Sequence, residues 1–223
     1  MTGAGRPPPA AVVFDMDGVL VETEEVWDAV REQLVTERGG RWVPEAQAVM
    51  MGMSSPEWSR YLAEELSVPM TPEAINREVV ERISARYAAA LPLHDGAVEV
   101  VQALAERWPL GLASSSNRPV IDLVLELAGL AGCFRATVSS EEVARGKPAP
   151  DVYLEAAARL GVAPAACVAV EDSANGLRSA AAADMRVVAV PNRAYPPPPD
   201  LVQTAALVLD DLRELTPAAV ERL

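Results

Sequence analysis

Apolar residues along this chain follow two rhythms, and the point where one gives way to the other sets the expected architecture. Ala11 to Val19, AVVFDMDGV, is a short apolar run ending on two aspartates and a glycine, and it reads as a buried strand. After it the spacing turns helical. Val26, Ala29, Val30 and Leu34 mark a helix over Thr23–Arg38, with Thr23 as its N-cap and Gly39-Gly40 as its stop. Three more helices follow with no strand between them, over Pro44–Met51, Pro56–Leu66 and Pro72–Leu91. From Gly96 helix and strand alternate. Helices are predicted over Ala97–Arg107, Val120–Ala128, Asp151–Leu160 and Ala174–Ala183. They lead to strands Leu110–Ala113, Ala136–Val138, Cys167–Val170 and Val187–Val190, with Ala206–Leu209 as an edge strand.

Such alternation implies an α/β fold with a parallel sheet covered on both faces, and ligands bound at the carboxyl ends of its strands. The all-helical block is then an insertion after the first strand, closed by the turn-like stretch Pro92 to Gly96. Asn192 to Asp200, with four consecutive prolines, is expected to be a stiff surface loop. Met1 to Pro9 is expected to be a short flexible tail.

Composition narrows the partners. At 223 residues, 50% of them hydrophobic, the chain has material for a full core, yet no apolar run is long enough to span a bilayer and the start does not resemble a signal peptide. Cys133 and Cys167 lack the spacing of metal ligands and read as free thiols in a reducing cytoplasm. A formal net charge of -13 argues against nucleic acid and against an anionic membrane as partners. Of the 19 lysines and arginines, all but Lys147 are arginine, so that one ammonium stands out as a point-charge ligand for phosphate.

Polar residues cluster just after three strands: Asp15 and Asp17, then Ser114, Ser115, Ser116 and Asn117, then Glu171, Asp172 and Ser173. Lys147 lies in GKPAPD, ahead of a helix. A parallel sheet brings all four groups to one edge. Carboxylates, a lysine and small hydroxyls together suit a magnesium ion and a phosphate. An N-cap role is also open for Ser173, Ser116 and Asn117.

DMDGV, Ser114, Lys147 in GKPAPD and the acid pair in EDSANG resemble the four motifs of the haloacid dehalogenase-like hydrolase superfamily, in order and on the expected elements. Within it the chain is most similar to the β-phosphoglucomutase-like phosphatases. The resemblance implies a Rossmann-like core, 1–19 and 93–223, with an α-helical cap, 20–92, inserted in it. It implies Asp15 as nucleophile, forming an aspartyl-phosphate, and Asp17 as the acid that protonates the leaving oxygen and then activates water. That role requires a raised pKa, for which desolvation under the cap is the natural cause. Lys147 and Ser114, with Ser115 and Asn117, would bind the phosphoryl group. Mg²⁺ would be held by Asp15, Asp172 and the backbone carbonyl of Asp17, with Glu171 either a ligand or a partner of the ligands.

The cap is expected to select the substrate. Relatives commonly carry a glutamate where this chain has Glu24. The loop VMMGMSS, with Met51, Gly52 and Met53, should face the site, as should Trp27, with Arg60 the nearest cation and Trp58 in the core. Sugar-phosphate mutases of this branch have a histidine in place of Trp27 and basic residues in place of Met51 and Ser55, so their retention of a second phosphate is not expected here. No cap lysine is present for phosphonate chemistry, and a dehalogenase would not keep Asp17. His94 reads as structural. The expectation is a cytoplasmic, magnesium-dependent phosphatase of a small-molecule phosphate ester, acting as a monomer. A mutase and a non-catalytic phosphate-binding protein are the alternatives.

Overall fold

The computed structural model describes residues 6–51, 53–193 and 195–223. Its centre is a six-stranded, all-parallel sheet: β1 (Ala11–Phe14), β2 (Leu110–Ser114), β3 (Phe134–Ser139), β4 (Cys167–Glu171), β5 (Arg186–Ala189) and β6 (Leu207–Val208). They lie in the order β3-β2-β1-β4-β5-β6. Four of these strands are buried along their whole length, because both faces of the sheet are covered. Alternation divides the apolar side chains cleanly. Val12, Phe14, Leu110, Leu112, Val168 and Val170 face one core, Ala11, Val13, Ala113, Cys167 and Ala169 the other.

Helices α5 (Ala97–Ala105) and α6 (Arg118–Leu127) cover the first face, and α7 (Asp151–Leu160) and α8 (Ala174–Ala182) the second. The inserted block consists of α1 (Glu24–Glu37), α2 (Ala46–Met50), α3 (Ser55–Glu64) and α4 (Pro72–Ala89). Its apolar faces, including Leu34, Leu62, Ile75 and Val79, join the first core in one continuous cluster. Two connecting strands lead into and out of the block side by side: Glu22 N donates to Pro92 O at 2.7 Å, and His94 N to Leu20 O at 3.0 Å. A turn of helix at α9 (Pro199–Val202) and another at α10 (Pro217–Glu221) complete the chain. Among the described residues no helix is long and apolar enough to cross a membrane.

The hydrophobic rhythm locates every main element, and the ends shift by a few residues. Helix α1 stops as expected. Gly39 has φ +77°, Gly39 N donates to Thr36 O and Gly40 N to Val35 O, which satisfies the last carbonyls. Its start differs: Thr23 makes no side-chain cap. The last of the four prolines, Pro199, opens α9 instead of extending the loop, in which Ala194 lies outside the described residues. Residues 6–9, expected as part of a free tail, are tied to the sheet's underside. Trp108 Nε1 donates to Pro9 O at 3.1 Å, and Arg186 donates to Pro7 O. Both thiols are free; Cys167 is buried and Cys133 half-buried.

Candidate active site

The sheet order explains why the acids meet. From β1 the chain winds outward through β2 and β3, then returns to the other side of β1 as β4, so the carboxyl ends of β1 and β4 flank the point where the winding reverses. Phe14 pairs with Val170, which sets Asp15 beside Glu171, and Asp15 N donates to Val170 O at 2.9 Å. Strand β2, on the other side of β1, brings its serines up to Asp17.

Asp15 and Asp17 receive different partners. Lys147 Nζ lies 2.8 Å from Asp15 Oδ1 and donates to Glu171 Oε1 at 2.6 Å, with both carboxylates and the ammonium buried. Asp17 is surrounded by hydroxyls. Thr23 Oγ1 donates to its Oδ1 at 2.9 Å, and Ser116 Oγ and Ser114 Oγ donate to its Oδ2 at 2.8 and 3.2 Å. Thr23, read in the sequence as a cap, and Ser116, read there as one of the polar cluster after its strand or as a cap, both contact Asp17. Ser114, expected on the phosphoryl group, is fully buried and also accepts from Ser116 N at 3.0 Å; Ser115 and Ser116 reach the cavity instead.

Glu171, left open by the sequence, is fully enclosed. Oε1 accepts from Lys147 and, at 2.7 Å, from Tyr153 Oη; Oε2 accepts from Asp172 N at 3.1 Å and Ser173 Oγ at 3.3 Å. Gly176 makes room for it, since a Cβ there would fall 1.9 Å from the carboxylate. Gly18 is needed twice over: its φ is +81°, and a Cβ would lie 1.9 Å from Asp172 Oδ2. Ser173 does cap α8, accepting from Gly176 N at 3.1 Å.

The acids of Asp15, Glu171 and Asp172 each offer an oxygen within 4.8 Å of the others, opposed by the single ammonium of Lys147. Burial, with repulsion from Glu171, pushes the Asp15 carboxyl up to about 8, against the pull of Lys147. Burial, followed by repulsion from Glu171, Asp15 and Glu24, drives Asp172 well above the carboxylate range. Lys147 is held further up still, because Asp15 and Glu171 outweigh its own desolvation. Asp172 Oδ1 is buried without a hydrogen-bond partner. A surplus of buried negative charge, hard oxygen donors and an orphaned oxygen fit a magnesium ion. The Asp17 carboxylate stands outside that group.

Above these residues lies a cavity of about 60 Å³, walled by Asp15, Asp17, Lys147 and Asp172 from the sheet and by Glu24, Trp27, Met51 and Met53 from the inserted helices. Gly52 lies outside the described residues. Glu24 Oε2 accepts from Gln47 Nε2 at 2.7 Å, and burial, followed by the charge of Asp17, pushes its carboxyl up to about 7. Trp58 is buried, as its spacing suggested, and yet it also walls the cavity. Arg60, expected as the nearest cation, is exposed and away from the cavity; Arg31 takes that place. An arginine on the apolar stripe of α1, one turn after Trp27, was the signal in the sequence. Asn117, expected on the phosphoryl group, spends its amide elsewhere. It accepts from Ser55 Oγ at 2.8 Å and donates to Asn76 Oδ1 and Glu141 Oε1 at 3.1 and 2.7 Å, joining α6 to the inserted helices.

Comparison with known proteins agrees with this geometry. The family model described as haloacid dehalogenase-like hydrolase matches residues 9–184. Hexitol phosphatase B of Escherichia coli strain K12 is 35% identical over 216 residues, covering 92% of this chain and 94% of that protein. The probable pseudouridine-5'-phosphatase of Drosophila melanogaster is 35% identical over 189 residues, covering 81% of this chain and 80% of its own. Among solved structures, CbbY from Rhodobacter sphaeroides in complex with phosphate superposes with a TM-score of 0.85 at 28% identity, covering 96% of this chain and 100% of that one.

Proposed function

The chain belongs to the haloacid dehalogenase-like hydrolases, and from that membership we propose a magnesium-dependent phosphatase of a small organic phosphate monoester, working through an aspartyl-phosphate on Asp15. The observation that carries this reading is the unlike treatment of two carboxylates two residues apart. Asp15 meets an ammonium, whereas Asp17 meets three hydroxyls.

In the first half-reaction an Asp15 oxygen attacks phosphorus, the bond from phosphorus to the leaving oxygen breaks, and that oxygen takes a proton from Asp17. In the second, water attacks the same phosphorus and gives a proton back to Asp17, and phosphate departs as the Asp15 carboxylate is regenerated. The hydroxyls of Thr23, Ser114 and Ser116 donate to an ionised Asp17 and can turn to accept from a protonated one, so they hold its orientation through both halves. Lys147 and Ser115 would hold phosphoryl oxygens, and Glu171 and Tyr153 would hold Lys147. Asp15, Asp172 and the Asp17 backbone carbonyl would hold Mg²⁺, which when bound supplies positive charge that lowers repulsion between Asp15 and an anionic phosphoryl group. Residues 20–92 would act as a cap on a core of 1–19 and 93–223, excluding water from the reacting groups.

Purified protein should release phosphate from an aryl phosphate with Mg²⁺ and not with a chelator, and Asp15→Asn should lower kcat at least about a thousand-fold, the scale on which a covalent nucleophile acts. Retained turnover in that variant overturns the mechanism. The relatives' names put hexitol and pseudouridine phosphates first in a panel ranked by kcat/KM. Interconversion of hexose phosphate isomers, dependent on a bisphosphate, would identify a mutase instead.

A further inference from the structure

Among the described residues two arginines are buried, Arg31 at 6% exposure and Arg186 at 5%. Arg186 is satisfied by backbone carbonyls, those of Ala165 and Pro7. Arg31 is treated differently: it walls the catalytic cavity, it has no ion pair within 4.0 Å among the described residues, and its Nε is buried without a hydrogen-bond partner. Its guanidinium carbon lies 4.7 Å from the ring centre of Trp27 and 4.9 Å from that of Trp58, rings that meet edge to face at 6.1 Å. The two cavity acids whose charge it feels most are engaged elsewhere, Glu24 with Gln47 and Asp17 with its hydroxyls.

A buried cation without a partner is costly, and aromatic faces offset only part of that cost. With their ring centres only 6.1 Å apart, both tryptophans lie to one side of the guanidinium, which leaves N–H groups on its other side for a bidentate oxyanion. We propose that Arg31, flanked by Trp27 and Trp58, is a specificity-determining residue that receives an oxyanion on the non-transferred end of the substrate, a carboxylate or a second phosphoryl group. The enzyme then prefers phosphate monoesters with a second negative group over neutral polyol phosphates. The cavity of about 60 Å³ favours a short molecule, with its two anions held at opposite walls by Lys147 and Arg31. This subsite rests on the phosphatase reading for its substrate, and on geometry alone for its charge preference.

The test compares kcat/KM for glycerol 3-phosphate, which has a neutral remainder, with 3-phosphoglycerate and with glycerol 1,3-bisphosphate. The two charged esters separate a carboxylate from a second phosphoryl group. In the unaltered enzyme one or both charged esters should be preferred, and Arg31→Met should lower that preference about 10- to 100-fold, the range for losing a charged hydrogen-bonding partner. Arg31→Lys should recover part of it, since it restores charge without the planar fork. An unchanged preference in Arg31→Met overturns the proposal. Should the methionine variant fail to fold, Arg31→Gln against Arg31→Lys makes the same comparison. A second arm needs no turnover. Tryptophan fluorescence of Asp15→Asn, titrated with the same three esters, should show charge-selective binding that is lost when Arg31→Met is added; selectivity that survives overturns the subsite. If the unaltered enzyme hydrolyses nothing but this binding holds, the subsite stands and the phosphatase reading falls.

Discussion

Ser116 donates to Asp17 over 2.8 Å, the shortest of the three hydroxyl contacts on that carboxylate. Its removal should therefore act on chemistry rather than folding. Ser116→Ala is expected to lower kcat about 10-fold, in keeping with the loss of one hydrogen bond to a charged group, and to leave the melting temperature within a few degrees. Glu24 makes the opposite kind of contribution. Its carboxyl is raised to about 7 in the folded protein from near 4.5 in the unfolded chain, so folding favours the protonated form. That stability is fully present below about pH 4.5 and is lost as pH rises through about 7. Glu24→Gln should then be more stable than the parent at pH 8 by about 1–3 kcal/mol and nearly equal to it at pH 4.5, which melts at the two pH values will check.

Asp15, Asp17 and Asp172 were legible because a charged group at the end of an apolar strand is seldom put there by packing alone, and Lys147 because it is the one lysine of the chain. The role of Thr23 was not, because a hydroxyl before a helix reads first as a cap, and Ser116 was placed at the site edge without a sign that it would meet Asp17. Gly176 was invisible for a related reason: a helical glycine declares its purpose only when Glu171 is seen in the space a Cβ would need.

Among elements, the contact between α6 and the inserted helices is one on which the hydrophobic pattern is silent. Asn117 sits at the start of α6, accepts from Ser55 on α3 and donates to Asn76 on α4 and to Glu141. Replacing it removes the acceptor of the buried Ser55 hydroxyl and the donor to the half-buried Asn76. Asn117→Ala is expected to cost about 1–3 kcal/mol, lowering Tm by about 2–4 °C per kcal/mol for a chain of this size, with kcat/KM falling through looser closure. Hydrophobic periodicity found each helix that joins, yet it carries no information on which polar side chains meet across a seam. The short α9 and α10 escaped for want of length, since one turn is too little for a period to show.

For the whole molecule the decisive quantity is the buried negative charge at the reversal of the sheet. Ion binding should relieve it. At a magnesium concentration 100 times its Kd the native state gains about 2.7 kcal/mol, a Tm rise of about 5–10 °C. The rise should grow from pH 6 to pH 8, because burial and Glu171 hold Asp15 up to about 8 and the ion must displace protons held there. Asp172→Asn should lose most of it; calorimetry with and without a chelator reads the difference.

The order of apolar runs by itself determined the parallel sheet, the insertion after the first strand and the gathering of acids at one edge, since burial on both faces and alternation leave a chain few other arrangements. The family and the phosphatase class were legible through the resemblance carried by DMDGV, Ser114, Lys147 and EDSANG, and the strand-end acids through their position. Partners were decided only in three dimensions. That Lys147 lies on Asp15 and Glu171, that hydroxyls from two elements converge on Asp17, and that Arg31 stands where Arg60 was expected as the inserted helices' cation at the cavity all depend on contacts between residues far apart in the chain. Periodicity says which face of an element is buried; what that face meets is settled by packing.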